Sequence, residues 1–94
     1  MTTHYVKSWT HLFAAFMSGV KTHDMRIMDR NYQVGDILVL QEYGKQNESY
    51  TGREARAVIT YITSRDHVPC AFSPSALKEG YGILSIRRLP AEAA

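Results

Sequence analysis

Three cationic side chains that can bind an anion fall within ten residues of one another: Lys21, Arg26 and Arg30, beside Thr22 and Asp24. An arginine binds phosphate through a planar fork and a lysine acts as a point charge, so such a group can hold a phosphate. Asp24 can accept a hydrogen bond from the exocyclic amine of a base such as cytosine. The alternative is a surface ion pair between Asp24 and Arg26 or Arg30, which contributes little to stability.

Aromatic and basic side chains alternate elsewhere in the chain, near segments predicted to be loops. The tyrosines are Tyr32, Tyr43, Tyr50 and Tyr81, and the cations flanking some of them are Lys45, Arg53 and Arg56. Single-stranded RNA is recognised by stacking its bases on such rings while cations neutralise its phosphates. We place Tyr50 and Arg53 at the rim of the predicted site. Each tyrosine has the alternative of a half-buried ring whose hydroxyl reaches water.

Metal binding and nucleophilic catalysis find little support. The segment Asp66–Cys70 contains His67 and looks like part of a metal site, but no partner motif follows at zinc spacing. We therefore expect no metal and no cofactor. Cys70 is the single cysteine, so no disulfide can form within the chain, which suits a reducing compartment.

Composition limits the size of the site and the number of domains. The 94 residues predict one domain, with a core over residues 4–89 and a flexible tail over 90–94. The net charge of +2 is mild for a protein that coats nucleic acid, so any such contact needs a local patch. No secretory leader and no apolar run of about 18 residues is present, which predicts a cytoplasmic protein with no membrane partner.

A helix that follows a short first strand supplies part of the core. The strand is predicted over Thr3–Lys7, and Ser8 or Thr10 is expected to cap the helix. The spacing of five apolar residues predicts that they form one stripe along this helix: Trp9, Leu12, Phe13, Phe16 and Met17. Gly19 follows and suits the left-handed conformation found where helices end.

The remaining elements read as strands. Lys21–Met28 is predicted to be extended, with Thr22, Asp24, Arg26 and Met28 on one side and the intervening residues on the other. A turn at Val34–Asp36 leads into a predicted strand over Ile37–Tyr43. A hairpin loop over Gly44–Ser49, extended by Tyr50–Gly52, joins it to a return strand over Glu54–Ile62. A long connection over Thr63–Gly80, with a helical turn at Ser75–Lys78, leads to a closing strand over Tyr81–Leu89. The fold class is α+β, mainly β: a curved sheet closing as a barrel with one helix at its end.

Several segments together resemble one family. They are Ser18–Arg26, Asp29–Leu40, Tyr50–Glu54 and Gly80–Ile86. In order and spacing they are similar to the ASCH group of the PUA-like superfamily, in a small bacterial and phage branch of unknown function. The resemblance implies a pseudobarrel of five or six strands with a cleft beside the helix, and binding of RNA.

Some ASCH proteins are amidohydrolases acting on acetylated cytidine, with a Lys, a Thr and a Glu as the catalytic set. The resemblance carries that lysine onto Lys21. Asp24 stands where those enzymes have the threonine, and the short chain lacks the helical insertion that carries their glutamate.

Three functions follow as hypotheses. The first is a binding module for RNA or a modified nucleotide, with Lys21, Thr22, Asp24, Arg26 and Arg30 lining the cleft. The second is a small amidohydrolase or a ribonuclease, in which Lys21 acts as base and Asp24 orients it. The third is a phage or bacterial protein-interaction domain that contacts a partner through Thr63–Gly80. Because the chain is short, we place binding ahead of catalysis.

Overall fold

Five strands and one helix follow one another in the order predicted from the sequence. A computed structural model describes residues 1–64 and 78–90. The elements are β1 (Thr3–Trp9), α1 (Thr10–Met17), β2 (His23–Ile27), β3 (Ile37–Gly44), β4 (Ser49–Ser64) and β5 (Tyr81–Arg88). The predicted α+β class is confirmed.

The strands form one curled sheet, a half-barrel, in the order β1-β3-β4-β5-β2. β1 runs parallel to β3, and the other neighbouring pairs are antiparallel. The predicted pseudobarrel is confirmed as a half-barrel. In the described residues it does not close completely, because β1 and β2 end the sheet and no backbone ladder joins them. The sheet curls until these two edges face each other across a cleft.

The core lies on the concave face of the sheet, beneath α1. Leu38 and Leu40 of β3 point inward beside Ala57 and Ile59 of β4, and all four are buried. The helix adds Phe13, which is fully buried. Removing a side chain of this size from water contributes about 1.5–3 kcal/mol. The core therefore holds the concave face together. On the opposite face Val39 is also buried, whereas Tyr5 and Tyr61 are more than half exposed.

The helix begins differently from the prediction. Its N-cap residue is Trp9, and no side chain caps it. Ser8 is buried on β1, and the Thr10 hydroxyl donates to the Tyr43 carbonyl at 3.4 Å. Trp9 is the last residue of β1, so it lies outside the apolar stripe of the helix. Gly19 follows the helix with a φ of 88°, the left-handed conformation predicted for it.

One prediction about β4 is wrong, and the ladders of this strand contain two irregularities. Tyr50–Gly52 belong to the strand rather than the loop, and the register with β3 shifts between Gln41 and Tyr43. A second shift, between Ile59 and Tyr61, reverses the alternation of faces. Tyr61 therefore points outward and Ile62 inward, because an extra residue in a bulge exchanges the two faces.

A buried carboxylate anchors β1 to the turn before β3. Asp36 accepts hydrogen bonds from the backbone N–H groups of Thr2 and Gln33, each at 3.0 Å, and lies 2.9 Å from Nε2 of His4. Burial alone would raise the pKa of Asp36, but these hydrogen bonds outweigh it and lower the pKa below its ordinary value. The predicted turn at Val34–Asp36 is confirmed, with Gly35 at a φ of 96°.

Some predictions lie outside the described residues. They concern most of the Thr63–Gly80 connection, including the helical turn predicted at Ser75–Lys78, with His67 and Cys70, and most of the tail over 90–94. Within residues 1–64 and 78–90, no helix has the length and apolar character needed to cross a membrane.

Candidate functional site

The facing edges of the sheet enclose a cleft of about 500 Å³, called the edge cleft below. Its lining includes Tyr5 and Lys7 of β1, Met25 and Ile27 of β2, and Tyr50 of β4. Tyr5, Met25, Ile27 and Tyr50 are each more than half exposed. The edge cleft therefore presents rings and apolar side chains to the solvent, together with the cations described next.

Two arginines span the edge cleft. Arg26 donates from Nη2 to the Lys7 carbonyl at 2.5 Å, and Arg30 donates from Nη1 to the Tyr5 carbonyl at 2.9 Å. We call these contacts the arginine bridges. They take the place of a backbone ladder between β1 and β2, and they place two guanidinium groups in the lining of the cleft.

Asp24 holds the guanidinium group of Arg26 in position through an ion pair. Its carboxylate is buried, accepts from Nε of Arg26 at 2.5 Å, and lies 3.4 Å from Nζ of Lys21. Lys21 also donates to the His23 carbonyl. Because a buried carboxylate requires paired charge, Asp24 holds both cations in place. The predicted Asp24–Arg26 pair is present, but it is mostly buried rather than a surface pair.

The residues predicted as one site divide between three places. Arg26, Arg30 and Tyr50 line the edge cleft. Lys21 and Thr22 line a smaller pocket of about 210 Å³ between the end of α1 and β5. Asp24 connects the two groups through its ion pairs with Lys21 and Arg26.

Arg53 lies apart from the edge cleft. Its Nη1 is 3.7 Å from Oε1 of the buried Glu42, and its guanidinium carbon is 5.2 Å from the centroid of the Phe13 ring. The same Glu42 oxygen accepts from the Thr51 hydroxyl at 2.7 Å. Arg53 thus lies over Phe13 of α1, and it is not among the residues that line the edge cleft together with Tyr50.

Tyr32 forms part of the floor of the edge cleft rather than a stacking surface. It is buried, and its ring centroid is 4.7 Å from that of His4. Burial raises the pKa of the Tyr32 hydroxyl, although Arg30 and Arg26 act in the opposite direction. The phenol therefore stays neutral at physiological pH.

Sequence reasoning missed Tyr5 and Lys7, and it assigned Trp9 to the helix. The signal lies in the alternation of β1, where His4, Val6 and Ser8 are buried and the intervening residues face outward. This outward row contains two aromatic residues and a lysine, and contiguous aromatic surface is typical of interaction sites.

No group of three or more His, Cys, Asp or Glu side chains suited to a metal ion occurs within the described ranges 1–64 and 78–90. The lining of the edge cleft instead combines guanidinium and ammonium groups with tyrosine rings. Such a surface is suited to an anionic, aromatic ligand.

Comparison with known proteins places the chain in a family. A protein of Escherichia phage P2, named as an uncharacterized 12.9 kDa protein in the GpA 3' region, is 38% identical over 60 residues, which are 64% of this chain. The alignment covers 53% of the phage protein, so the chain matches about half the length of that relative. The family model described as a domain of unknown function, DUF3850, matches residues 3–86. This range runs from the start of β1 into β5, and the chain therefore belongs to the DUF3850 family.

Proposed function

We propose that the protein binds single-stranded RNA or a nucleotide in the edge cleft. The observation that carries the proposal is that Arg26, Arg30 and Lys7 line the same cleft as the rings of Tyr5, Tyr50 and Tyr81. Guanidinium groups bind phosphate, and tyrosine rings stack on bases without requiring a particular sequence. The resemblance to ASCH domains supports the same function, and such a function implies a cytoplasmic location.

The arginine bridges are compatible with phosphate binding. Each bridge engages one terminal nitrogen of its guanidinium group with a carbonyl of β1. A guanidinium group carries five N–H donors, so donors remain for a phosphate. The carbonyl contacts hold each fork in position before the ligand arrives, which lowers the ordering cost of binding.

Binding is tested by fluorescence anisotropy of a labelled hexauridylate at low salt and at about 200 mM salt. Replacing Arg30 by Ala is expected to weaken binding about tenfold and to reduce the salt slope by about one. Arg87→Ala is the matched control, because Arg87 is exposed on β5 outside the edge cleft and its loss changes the net charge equally. Absence of binding at low salt, or equal affinities of the two variants, would contradict the proposal.

A hydrolase acting on an acylated nucleoside is the second candidate, supported by the Lys21–Asp24 ion pair. Lys21 is mostly buried and lines the smaller pocket together with Thr22. Among the described residues, its ammonium group contacts two acceptors, the His23 carbonyl and Asp24. An amine held in this way serves more readily as a structural cation than as a base, so we place this function second.

Deacetylation of acetylcytidine by the purified protein tests the second candidate. If the protein is an enzyme of this kind, turnover occurs and Lys21→Ala abolishes it. Turnover that survives this substitution, or no turnover at all, excludes Lys21 catalysis of this reaction.

A further inference from the structure

The convex face of the sheet carries a row of three aromatic side chains beside the edge cleft. Trp9 of β1 is in register with Tyr43 of β3, and Tyr43 is in register with Tyr50 of β4. The ring centroids of Trp9 and Tyr43 are 5.5 Å apart, and those of Tyr43 and Tyr50 are 5.1 Å apart. Both contacts are edge to face. We call these three residues the aromatic row.

The aromatic row is more exposed than packing alone explains. Trp9 is 38% exposed and Tyr50 is 55% exposed, although residues of this size contribute most when buried. The two outer rings of the row thus retain accessible surface on which a planar group can stack. An exposed aromatic patch rimmed by polar groups is typical of an interaction site.

Lys7 joins the aromatic row to the edge cleft. Its Nζ lies 4.0 Å from the centroid of Tyr43 and 5.9 Å from that of Trp9, while the residue also lines the cleft. Cation–π contacts of this kind hold an ammonium group over the rings. If one base of a ligand enters the edge cleft and the next base stacks on the aromatic row, the phosphate that links them lies near the ammonium group of Lys7.

The distances exceed the reach of one nucleotide. Tyr5 and Trp9 are four residues apart on β1, which corresponds to about 13 Å along a strand. Stacked bases repeat every ~3.4 Å along one strand, so a ligand that reaches from the arginine bridges to Trp9 contains more than one base.

We propose that the aromatic row with Lys7 is a second base-stacking subsite, so that the ligand is a single-stranded oligonucleotide of two or more nucleotides. This inference rests on the proposed function of the edge cleft. It adds the length of the ligand and a site on Trp9, which does not itself line the cleft.

Trp9 is the single tryptophan of the chain, so its fluorescence reports on this subsite alone. The probes are uridine monophosphate, diuridylate, tetrauridylate and the DNA analogue tetrathymidylate, titrated at low salt. We expect quenching by the oligomers, little quenching by the mononucleotide, and affinity that rises with length. The RNA and DNA arms identify which sugar the site prefers.

Anisotropy with a labelled tetranucleotide tests the role of the rings. Trp9→Ala is expected to weaken binding about tenfold, and Trp9→Phe is expected to restore most of the affinity because a ring remains. The helix should tolerate the alanine variant, since Trp9 makes no side-chain cap bond. Tyr43→Ala provides a second variant within the row, because the Tyr43 ring contacts Lys7 and is not part of the lining of the edge cleft. Tyr61→Ala is the control, because Tyr61 is an exposed tyrosine of the same strand and does not line the edge cleft.

The outcomes separate the two proposals. Binding that depends on Arg30 but not on oligomer length, with Trp9→Ala equal to Tyr61→Ala, overturns the subsite and leaves the edge cleft as a mononucleotide site. No binding of any nucleotide or oligonucleotide overturns both. Binding that rises with length and is lost in Trp9→Ala but not in Trp9→Phe supports the subsite.

Discussion

At the residue scale, Asp36 connects the first strand to the rest of the chain through one buried carboxylate. Thr2, His4 and Gln33 all bind it, and these residues belong to two segments distant in sequence. β1 provides one wall of the edge cleft, so Asp36 acts on the site by positioning that wall. Its lowered pKa means that the charged form stabilises the fold.

Replacing Asp36 by Asn tests this link. The stabilisation from a carboxylate with a depressed pKa is present above its unfolded pKa of about 3.9 and is lost as pH falls through the lower folded value. At pH 7 we expect the Asn variant to be less stable by about 1–3 kcal/mol. Urea unfolding from pH 7 down to about pH 3 should show the difference shrinking through the acid range. A constant difference across this range would contradict the account.

At the element scale, β1 and β2 meet through side chains rather than through a ladder. The Thr2 carbonyl accepts from the Ile37 N–H, so even-numbered residues of β1 direct their backbone groups toward β3. The carbonyls of Tyr5 and Lys7 point instead to the arginine bridges. In a strand, the N–H of a residue points the same way as its carbonyl, so these two amides face the cleft.

Amide hydrogen exchange checks this arrangement. We expect the Tyr5 and Lys7 amides to exchange faster than that of Val6, because the Val6 N–H faces β3 and joins the ladder. Bound oligonucleotide should slow the exchange at Tyr5 and Lys7 by covering the cleft. Equal protection of all three amides in the free protein would indicate that a backbone ladder closes the sheet.

The sequence predicts the elements well because their signals are local. Alternation on β2 places Asp24 and Arg26 on the more buried side, as the structure confirms. The bulge near Thr60 has no such signal, because Val58, Ile59, Tyr61 and Ile62 put apolar side chains on both faces of the strand. Composition therefore predicts that a strand forms, but the partner strand determines where its register shifts.

The site is harder to predict because its parts come from distant segments. Lys21 and Arg26 are close in sequence, yet they line different pockets. Lys21 precedes β2 and contacts Oδ1 of Asp24, whereas Arg26 lies within β2 and contacts Oδ2. Tyr5 and Arg30 are 25 residues apart and meet only when the sheet curls. The acceptor in that contact is a backbone carbonyl, which every residue has, so no residue type reveals it.

At the scale of the whole molecule, the sheet combines local and distant pairings. β3 and β4 form a hairpin between strands adjacent in sequence. In the pairing of β1 with β3, by contrast, the partners Thr3 and Ile37 are 34 residues apart in sequence. Closing a longer loop costs more conformational entropy before its contacts form. We therefore infer that the hairpin forms first and that β1 docks on it late.

Folding kinetics of two core variants test this order. Ile59→Val in the hairpin should slow folding, while Val6→Ala in β1 should mainly accelerate unfolding. Both side chains are buried, and the changes should cost about 0.5–1.5 kcal/mol for Ile59→Val and somewhat more for Val6→Ala. Stopped-flow measurements in urea provide both rates. A larger effect of Val6→Ala on folding would mean that β1 docks early.

The arginine bridges have a consequence for how the family can vary. Their acceptors are main-chain oxygens, so a substitution at Tyr5 or Lys7 leaves the acceptor in place. Substitution of Arg26 or Arg30 removes the donor of the contact itself. Saturation mutagenesis should thus find the first two positions tolerant for stability and the arginines restrictive. Related proteins can thus change the β1 side chains of the cleft, and with them the ligand, while the arginines on the opposite side keep the sheet curled.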